Sequence, residues 1–142
     1  MNLKGKILRI VDVNINRAKE GLRVCEDIIR LLIDDKKETQ ALKDMRHKVS
    51  NILKDSKVKA SEIIKYRDSQ ADVGRKIKTE SPKKAIIDVF MANAQRVKEA
   101  LRVLEEIFSI LDKKASKKFQ DLRFKFYGTE KKSINKLKNC LN

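Results

Sequence analysis

Asn14-Ile15-Asn16-Arg17-Ala18-Lys19-Glu20-Gly21-Leu22-Arg23-Val24-Cys25-Glu26-Asp27-Ile28 returns 79 positions further on as Asn93-Ala94-Gln95-Arg96-Val97-Lys98-Glu99-Ala100-Leu101-Arg102-Val103-Leu104-Glu105-Glu106-Ile107, with nine of fifteen positions identical. Self-similarity over such a length marks one structural unit used twice. The match runs upstream, where Ile7, Ile10 and Val11 meet Ile86, Val89 and Phe90. Downstream, Lys43-Asp44-Met45-Arg46-His47-Lys48 matches Gln120-Asp121-Leu122-Arg123-Phe124-Lys125 at an offset of 77. Each half therefore reads as a long helix followed by a second helix.

At 100° per residue, Ile7, Ile10, Val11, Ala18, Gly21, Leu22, Cys25, Ile28, Ile29 and Leu32 fall within about a third of the circumference, and Ile86, Val89, Phe90, Val97, Ala100, Leu101, Leu104, Ile107, Phe108 and Leu111 do the same in the second copy. Leu42, Met45, Val49, Ile52 and Leu53 form the stripe of a second helix. Val58, Ile63 and Ile64 suggest a short third, and Phe119, Leu122, Phe126, Ile134, Leu137 and Leu141 mark a last long one. The predicted fold is all-α: about five helices, as two duplicated hairpins around one core, in a single domain over 1–142. The repeats span about 7–56 and 82–136, joined by a short helix and loop over 57–81. Asp34-Asp35 mark the end of the first helix, Ser81-Pro82 read as N-cap and first residue of the second long helix, and Gly128 is expected to bend or break the last one.

Composition narrows the class. The 142 residues suit one domain, and 41% hydrophobic with 39% charged residues fits a foldable helical chain. One Pro, four Gly and 5% aromatic residues exclude an all-β sandwich or barrel. Cys25 and Cys140 suggest neither a disulfide framework nor a zinc site, and no apolar run reaches signal or membrane-spanning length, so a cytoplasmic protein without a membrane partner is expected. The net charge of +15 comes mostly from 25 lysines spread over nearly every segment, which reads as a solvated surface rather than a nucleic-acid interface. The long helices could also pair between chains, so a homodimer is compatible with the pattern.

Candidate chemistry lies where polar residues break the pattern. Asn14 and Asn93 sit inside the apolar arc, and a buried amide without partners costs about 1–3 kcal/mol. Either they fix helix register through mutual or backbone hydrogen bonds, or they point into a shared cavity that binds a ligand. Gly21 and Ala100, two turns on, permit close helix approach. A polar stripe of Asn16, Glu20, Arg23 and Asp27 repeats as Gln95, Glu99, Arg102 and Glu106. Both copies keep Arg in a chain with 25 Lys and 10 Arg, and six of those ten, Arg17, Arg23, Arg46, Arg96, Arg102 and Arg123, are repeat-matched. The planar fork of arginine suits carboxylate or phosphate recognition. The stretch Tyr66 to Glu80 has no apolar period and no counterpart in the repeat, so it reads as a functional loop. It carries Arg67, Asp68, Asp72 and Gly74, a plausible element for magnesium and phosphate. There is no Walker A or protein-kinase glycine loop. His47, the only histidine, stands opposite Phe124 in the repeat and is expected to pack.

Four motifs in order, Asn14-x-x-Arg17-x-x-Glu20-Gly21-Leu22-Arg23-Val24-x-Glu26-Asp27, Asp44-Met45-Arg46-His47, Arg67-Asp68-Ser69-x-x-Asp72-Val73-Gly74 and Asn93-x-x-Arg96-x-x-Glu99-Ala100-Leu101-Arg102-Val103-Leu104-Glu105-Glu106, resemble the small helical domain found alone or fused ahead of thiamine-phosphate synthase, regarded as a hydroxymethylpyrimidine phosphate kinase. The resemblance covers roughly residues 7–130. It implies phosphorylation of hydroxymethylpyrimidine phosphate to the diphosphate, with ATP as co-substrate and Mg²⁺ as cofactor, in thiamine diphosphate synthesis. Carried over by motif, Arg67, Asp68, Asp72, Glu20 and Glu99 become the catalytic set. Asn14, Arg17, Arg23, Arg46, Gly74, Asn93, Arg96 and Arg102 become the substrate-binding set, with Asp68 and Asp72 on magnesium. Arg17, Arg96 and Arg67 are assigned to phosphates and Asn14 or Asn93 to the aminopyrimidine edge. Cys25 stands where the resemblance places Leu, a swap within the core. A chain of 142 residues leaves no room for a synthase barrel, so that activity is expected on another polypeptide. The alternative is a noncatalytic helical module that binds thiamine-phosphate synthase or RNA.

Overall fold

The computed structural model describes residues 1–77 and 82–141. Helix α1 (Leu3–Ile28) starts at Asn2, whose Oδ1 accepts from the Gly5 N–H at 2.8 Å. It runs straight into a π-helical turn, Ile29–Ile33, closed by Asp34 at φ 55°, a left-handed conformation that Asp tolerates better than most side chains. Asp35 then caps α2 (Lys36–Asp55), accepting from Glu38 N–H at 2.8 Å. A tight turn leads to α3 (Ala60–Lys65), the loop comes next, and α4 (Ile86–Leu111) and α5 (Lys113–Leu141) complete the chain. Among the described residues there are five helices and no strand, and no helix is long and apolar enough to cross a membrane.

The change of repeat offset from 79 to 77 has a physical location. Ile28 matches Ile107 and Asp35 matches Asp112, so the first copy holds two more residues between its helices, and the π-turn with its left-handed Asp34 absorbs them. The second copy passes through Asp112 alone into α5.

Helix α1 packs most extensively on α4; α2 covers α1, α5 covers α4, and α2 meets α5 to close the bundle. The α1–α4 pair is antiparallel, because Gly21 lies against Asn93 and Val97 while Cys25 lies against Phe90. One core results, filled in its second half by Phe90, Phe108, Phe119 and Phe126 and in its first by Leu22, Ile29, Leu42 and Met45, each fully buried. Such side chains contribute about 1.5–3 kcal/mol each. Cys25 belongs to this core, and burial together with the nearby Glu130 charge pushes its thiol up to about 12, so it is an inert filler.

Several expectations need correction. Helix α4 begins at Ile86, with Pro82 in exposed irregular chain; Ser81 lies outside the described residues. The start is set from inside the helix, where the Asp88 carboxylate accepts from the Ala85 and Lys84 N–H groups. Gly128 does not break α5: a Cβ there would meet nothing within 4 Å, and the helix continues to Leu141. His47 is exposed rather than packed. The buried arc of α1 is broader than the apolar third, taking in Leu8, Asp12, Ile15 and Glu26, because α1 is flanked by both α2 and α4. Ile10, Leu32 and Ile86 are correspondingly exposed; Leu32 sits in the π-turn, where the 100° step no longer holds, and Ile86 is the first residue of its helix.

Candidate functional site

The i, i+3, i+7 and i+10 positions of α1 place Asn14, Arg17, Gly21 and Val24 along one stripe, and the antiparallel α4 brings its own copy against them. Between them lies a cleft of about 540 Å³ lined by five repeat-matched pairs: Asn14 and Asn93, Arg17 and Arg96, Glu20 and Glu99, Gly21 and Ala100, Val24 and Val103. It straddles the local two-fold of the duplication. Gly21 makes the close approach: a Cβ there would stand 2.8 Å from Val97 Cγ2 and 3.0 Å from the Asn93 carbonyl oxygen.

Both readings of the Asn pair meet in this geometry. Asn14 Nδ2 donates to the Ile10 carbonyl at 2.9 Å and Asn93 Nδ2 to the Val89 carbonyl at 2.8 Å, so each amide is held by its own preceding turn. Neither carbonyl Oδ1 accepts a hydrogen bond from a described residue, and both amides stand in the wall of the cleft. Arg17, Glu20 and Glu99 line it without an ion pair among the described residues.

A second cavity of about 380 Å³ opens between α1 and the loop, lined by Arg9, Asp12, Asn16, Arg67, Asp68, Ser69 and Asp72, with Arg17 and Glu20 common to both cavities. The loop is anchored at its start by Tyr66, whose ring lies against α1 at Gly5, where a Cβ would stand 2.7 Å from the ring. Arg67 then reaches back to Asp12: Nε donates to Oδ2 at 2.7 Å and Nη2 to Oδ1 at 2.6 Å. Arg9 Nη2 donates to the Asp68 carbonyl at 3.4 Å. Within the loop, Asp68 Oδ1 accepts from Ala71 N–H and Asp72 Oδ1 from Gly74 N–H. The sequence reading missed Asp12 and Arg9. An Asp one turn before Asn16, in the first copy only, was the available signal.

The predicted site residues thus divide. Asn14, Arg17, Glu20, Asn93, Arg96 and Glu99 share the central cleft, while Arg67, Asp68 and Asp72 join Arg17 and Glu20 in the loop cavity. Gly74 sits in an exposed turn beside Asp72. Arg23 and Arg102 are exposed and pair along their own helices with Glu26 and Asp27, and with Glu105 and Glu106. Arg46 reaches from α2 to the buried Glu26 at 3.0 Å, and its repeat mate Arg123 reaches from α5 to the buried Glu105 at 2.9 Å. These two pairs bind helix to helix. Among the described residues no three His, Cys, Asp or Glu side chains converge as a metal cage. Asp68 and Asp72 each commit Oδ1 to a backbone N–H, leaving two carboxylates in one cavity, a donor set suited to a magnesium ion that brings phosphate oxygens with it rather than to an all-protein site.

The chain is 33% identical over 125 residues to the thiamine-phosphate synthase of Rhodopirellula baltica, covering 87% of this chain and 33% of that protein. It is 31% identical over 141 residues to the thiamine-phosphate synthase of Synechocystis sp. (94% and 39%), and 35% identical over 127 residues to that of a Synechococcus strain (89% and 35%). The chain spans about a third of the length of these curated relatives. No solved structure matches it. The model of the ThiD2 family matches residues 9–132, through both repeats and the loop between them, and the chain belongs to that family.

Proposed function

We propose that this protein is a kinase of thiamine diphosphate synthesis that phosphorylates hydroxymethylpyrimidine phosphate to its diphosphate with ATP. The observation that carries this reading is the joining of two unlike cavities through Arg17 and Glu20: a cleft walled by two amides, suited to the edge of an aminopyrimidine, and a cavity that sets Arg9, Arg17 and Arg67 among carboxylates including Asp68 and Asp72, suited to phosphates that arrive with a magnesium ion. The four ordered motifs and the kinship with thiamine-phosphate synthases support the same pathway.

In this reaction an oxygen of the substrate phosphate attacks the γ-phosphorus of ATP, a new P–O–P linkage forms, and the bond to the β-phosphate oxygen breaks to release ADP. Phosphoryl transfer asks little covalent chemistry of a protein and much positioning and charge neutralisation. Asn14 or Asn93 would read the ring through the Oδ1 and N–H left over from their backbone bonds. Arg17, Arg67 and Arg96 would take phosphate oxygens, and Glu20 and Glu99 would orient the ring substituents and the arginines. Magnesium, held by Asp68 and Asp72 together with phosphate oxygens, would supply neutralisation of the developing charge.

The test is a coupled assay with hydroxymethylpyrimidine phosphate, ATP and Mg²⁺, beside the unphosphorylated pyrimidine. Diphosphate is expected from the phosphate alone, with turnover falling about 100-fold or more in Arg96→Ala and Asp72→Ala. No product from folded protein overturns the kinase and favours a noncatalytic module that docks on thiamine-phosphate synthase. Unchanged turnover in both variants overturns the residue assignment.

A further inference from the structure

The loop cavity depends on one residue that the duplication does not explain. Asp12 is a carboxylate on α1 with its side chain only 8% exposed, whereas its repeat mate Met91 is 49% exposed on α4. A buried acid found in one copy alone is not part of the repeated frame. A buried carboxylate needs partners, and Asp12 finds them on the far side of a 55-residue separation, in Arg67. Asn16, one turn on, donates its Nδ2 to Asp12 Oδ1 at 3.2 Å and to the Asp12 carbonyl at 3.0 Å, which gives the carboxylate a second partner from its own helix.

The pairing is side-on. Nε and Nη2 are spent on Asp12, and Nη1 makes no hydrogen bond to a described residue although Arg67 lines the cavity. The loop from 68 to 77 has little else to hold it, being exposed at nearly every position, with Arg9 on the Asp68 carbonyl as its other tie to α1. Loss of the Asp12 charge would therefore leave the Arg67 cation in place in the sequence but free to swing into solvent.

We propose that Asp12 is a positioning residue: it holds the guanidinium of Arg67 over the α1–loop cavity with Nη1 presented to a phosphate group, and so makes the first-copy side of the groove the phosphate-binding end. The inference rests on the proposed function for its biological ligand, but not for its test. A guanidinium already held in place binds a phosphate more tightly than a mobile one, because the ordering is done before the ligand arrives. The second copy has neither the acid nor the loop, so the protein carries one such end rather than two.

The experiment measures binding of inorganic pyrophosphate by calorimetry to the full chain, Asp12→Asn, Arg67→Ala and the double variant, with trypsin cleavage after Arg75 and Lys76 as the report on loop docking. Asp12→Asn is nearly isosteric and keeps an acceptor for Asn16. It is expected to weaken pyrophosphate about tenfold and to speed loop cleavage, while adding no further loss to Arg67→Ala; Asp12→Glu should restore part of the affinity. Wild-type affinity in a folded Asp12→Asn, losses that add in full in the double variant, or a wild-type protein that binds no pyrophosphate each overturn the proposal. Failure of the kinase reading would instead show as absent turnover with the pyrophosphate pattern intact.

Discussion

The two copies of the repeat agree in the struts and caps of the bundle and in the central cleft, and part around the loop cavity. Glu26 with Arg46 and Glu105 with Arg123 are the same strut built twice, and Asp35 and Asp112 cap the second helix of each copy. Asp12 against Met91 is a departure, as are exposed His47 and half-buried Ser50 against the exposed, mutually contacting Phe124 and Tyr127. The chain beyond each second helix also differs: the first copy goes on to α3 and the loop, whereas α5 runs past its counterpart to bring Lys136 onto Asp35 and Glu38. Repetition supplies a frame, and the unrepeated parts give each side of the groove its own chemistry.

The largest effect is expected from cutting the struts. Arg123 has a side chain 9% exposed beside the buried Glu105, also bonds Tyr127 Oη, and stacks on Phe124. Arg123→Ala should lower the unfolding free energy by about 3 kcal/mol, because it strips the buried Glu105 of its close partner and leaves only the exposed Arg102 at 3.8 Å. Arg46, at 19% exposure and without the aromatic contacts of Arg123, should cost about 1–2 kcal/mol. Urea titration compares them, and equal losses would mean the copies are mechanically equivalent. Next come the small residues of the cleft. Gly21→Ala must displace Val97 or the Asn93 peptide, so despite the better helix propensity it should cost about 1–2 kcal/mol. Ala100→Gly should cost about 1 kcal/mol through propensity alone and leave the cleft in place. Thermal melts of both variants decide whether the two-fold is sterically lopsided.

The smallest effect concerns the caps. The Glu38 N–H, then Lys136, holds the Asp35 carboxyl below its ordinary value. Burial pushes the Asp112 carboxyl up, but the N–H groups of Lys57, Ala115 and Lys114 more than offset it, and the net shift is also downward. A lowered folded value means stability that is complete above the unfolded carboxylate value of about 3.9 and lost as pH falls through the folded one. Asp35→Ala and Asp112→Ala should each cost about 1 kcal/mol at neutral pH, and stability curves between pH 5 and 2 should flatten in Asp35→Asn and Asp112→Asn.

Much of the frame was legible because repetition tests a helix assignment twice. Both long helices emerge from it, while the stripe of α2, the short α3 and the boundary at Asp34-Asp35 were legible from their own apolar spacing and turn residues. The misses have local causes. Ser81-Pro82 carries the usual signs of a helix start, yet the groups that need capping are satisfied from Asp88, further in. Gly128 costs its helix some propensity, but the core face of α5 continues beyond it through Ser133 and Leu137. In the site, the Asn pair and Arg17, Glu20, Arg96 and Glu99 stood out through their repeat spacing, whereas Arg46 bore the same signature and serves a strut. Asp12 had no mate to advertise it, and a lone Asp on a helix ordinarily reads as solvated.

The cleft between α1 and α4 has the symmetry of a homodimer interface within a single chain. A ligand without two-fold symmetry that entered such a cleft in an exact dimer would find two equivalent poses related by the dyad, and only one could face a given reaction partner. Half of the bound population would then be idle, a loss of RT ln 2, about 0.4 kcal/mol. Covalent joining of the halves removes that degeneracy, since an acid at position 12 and a methionine at 91 can differ only when the two copies are written separately.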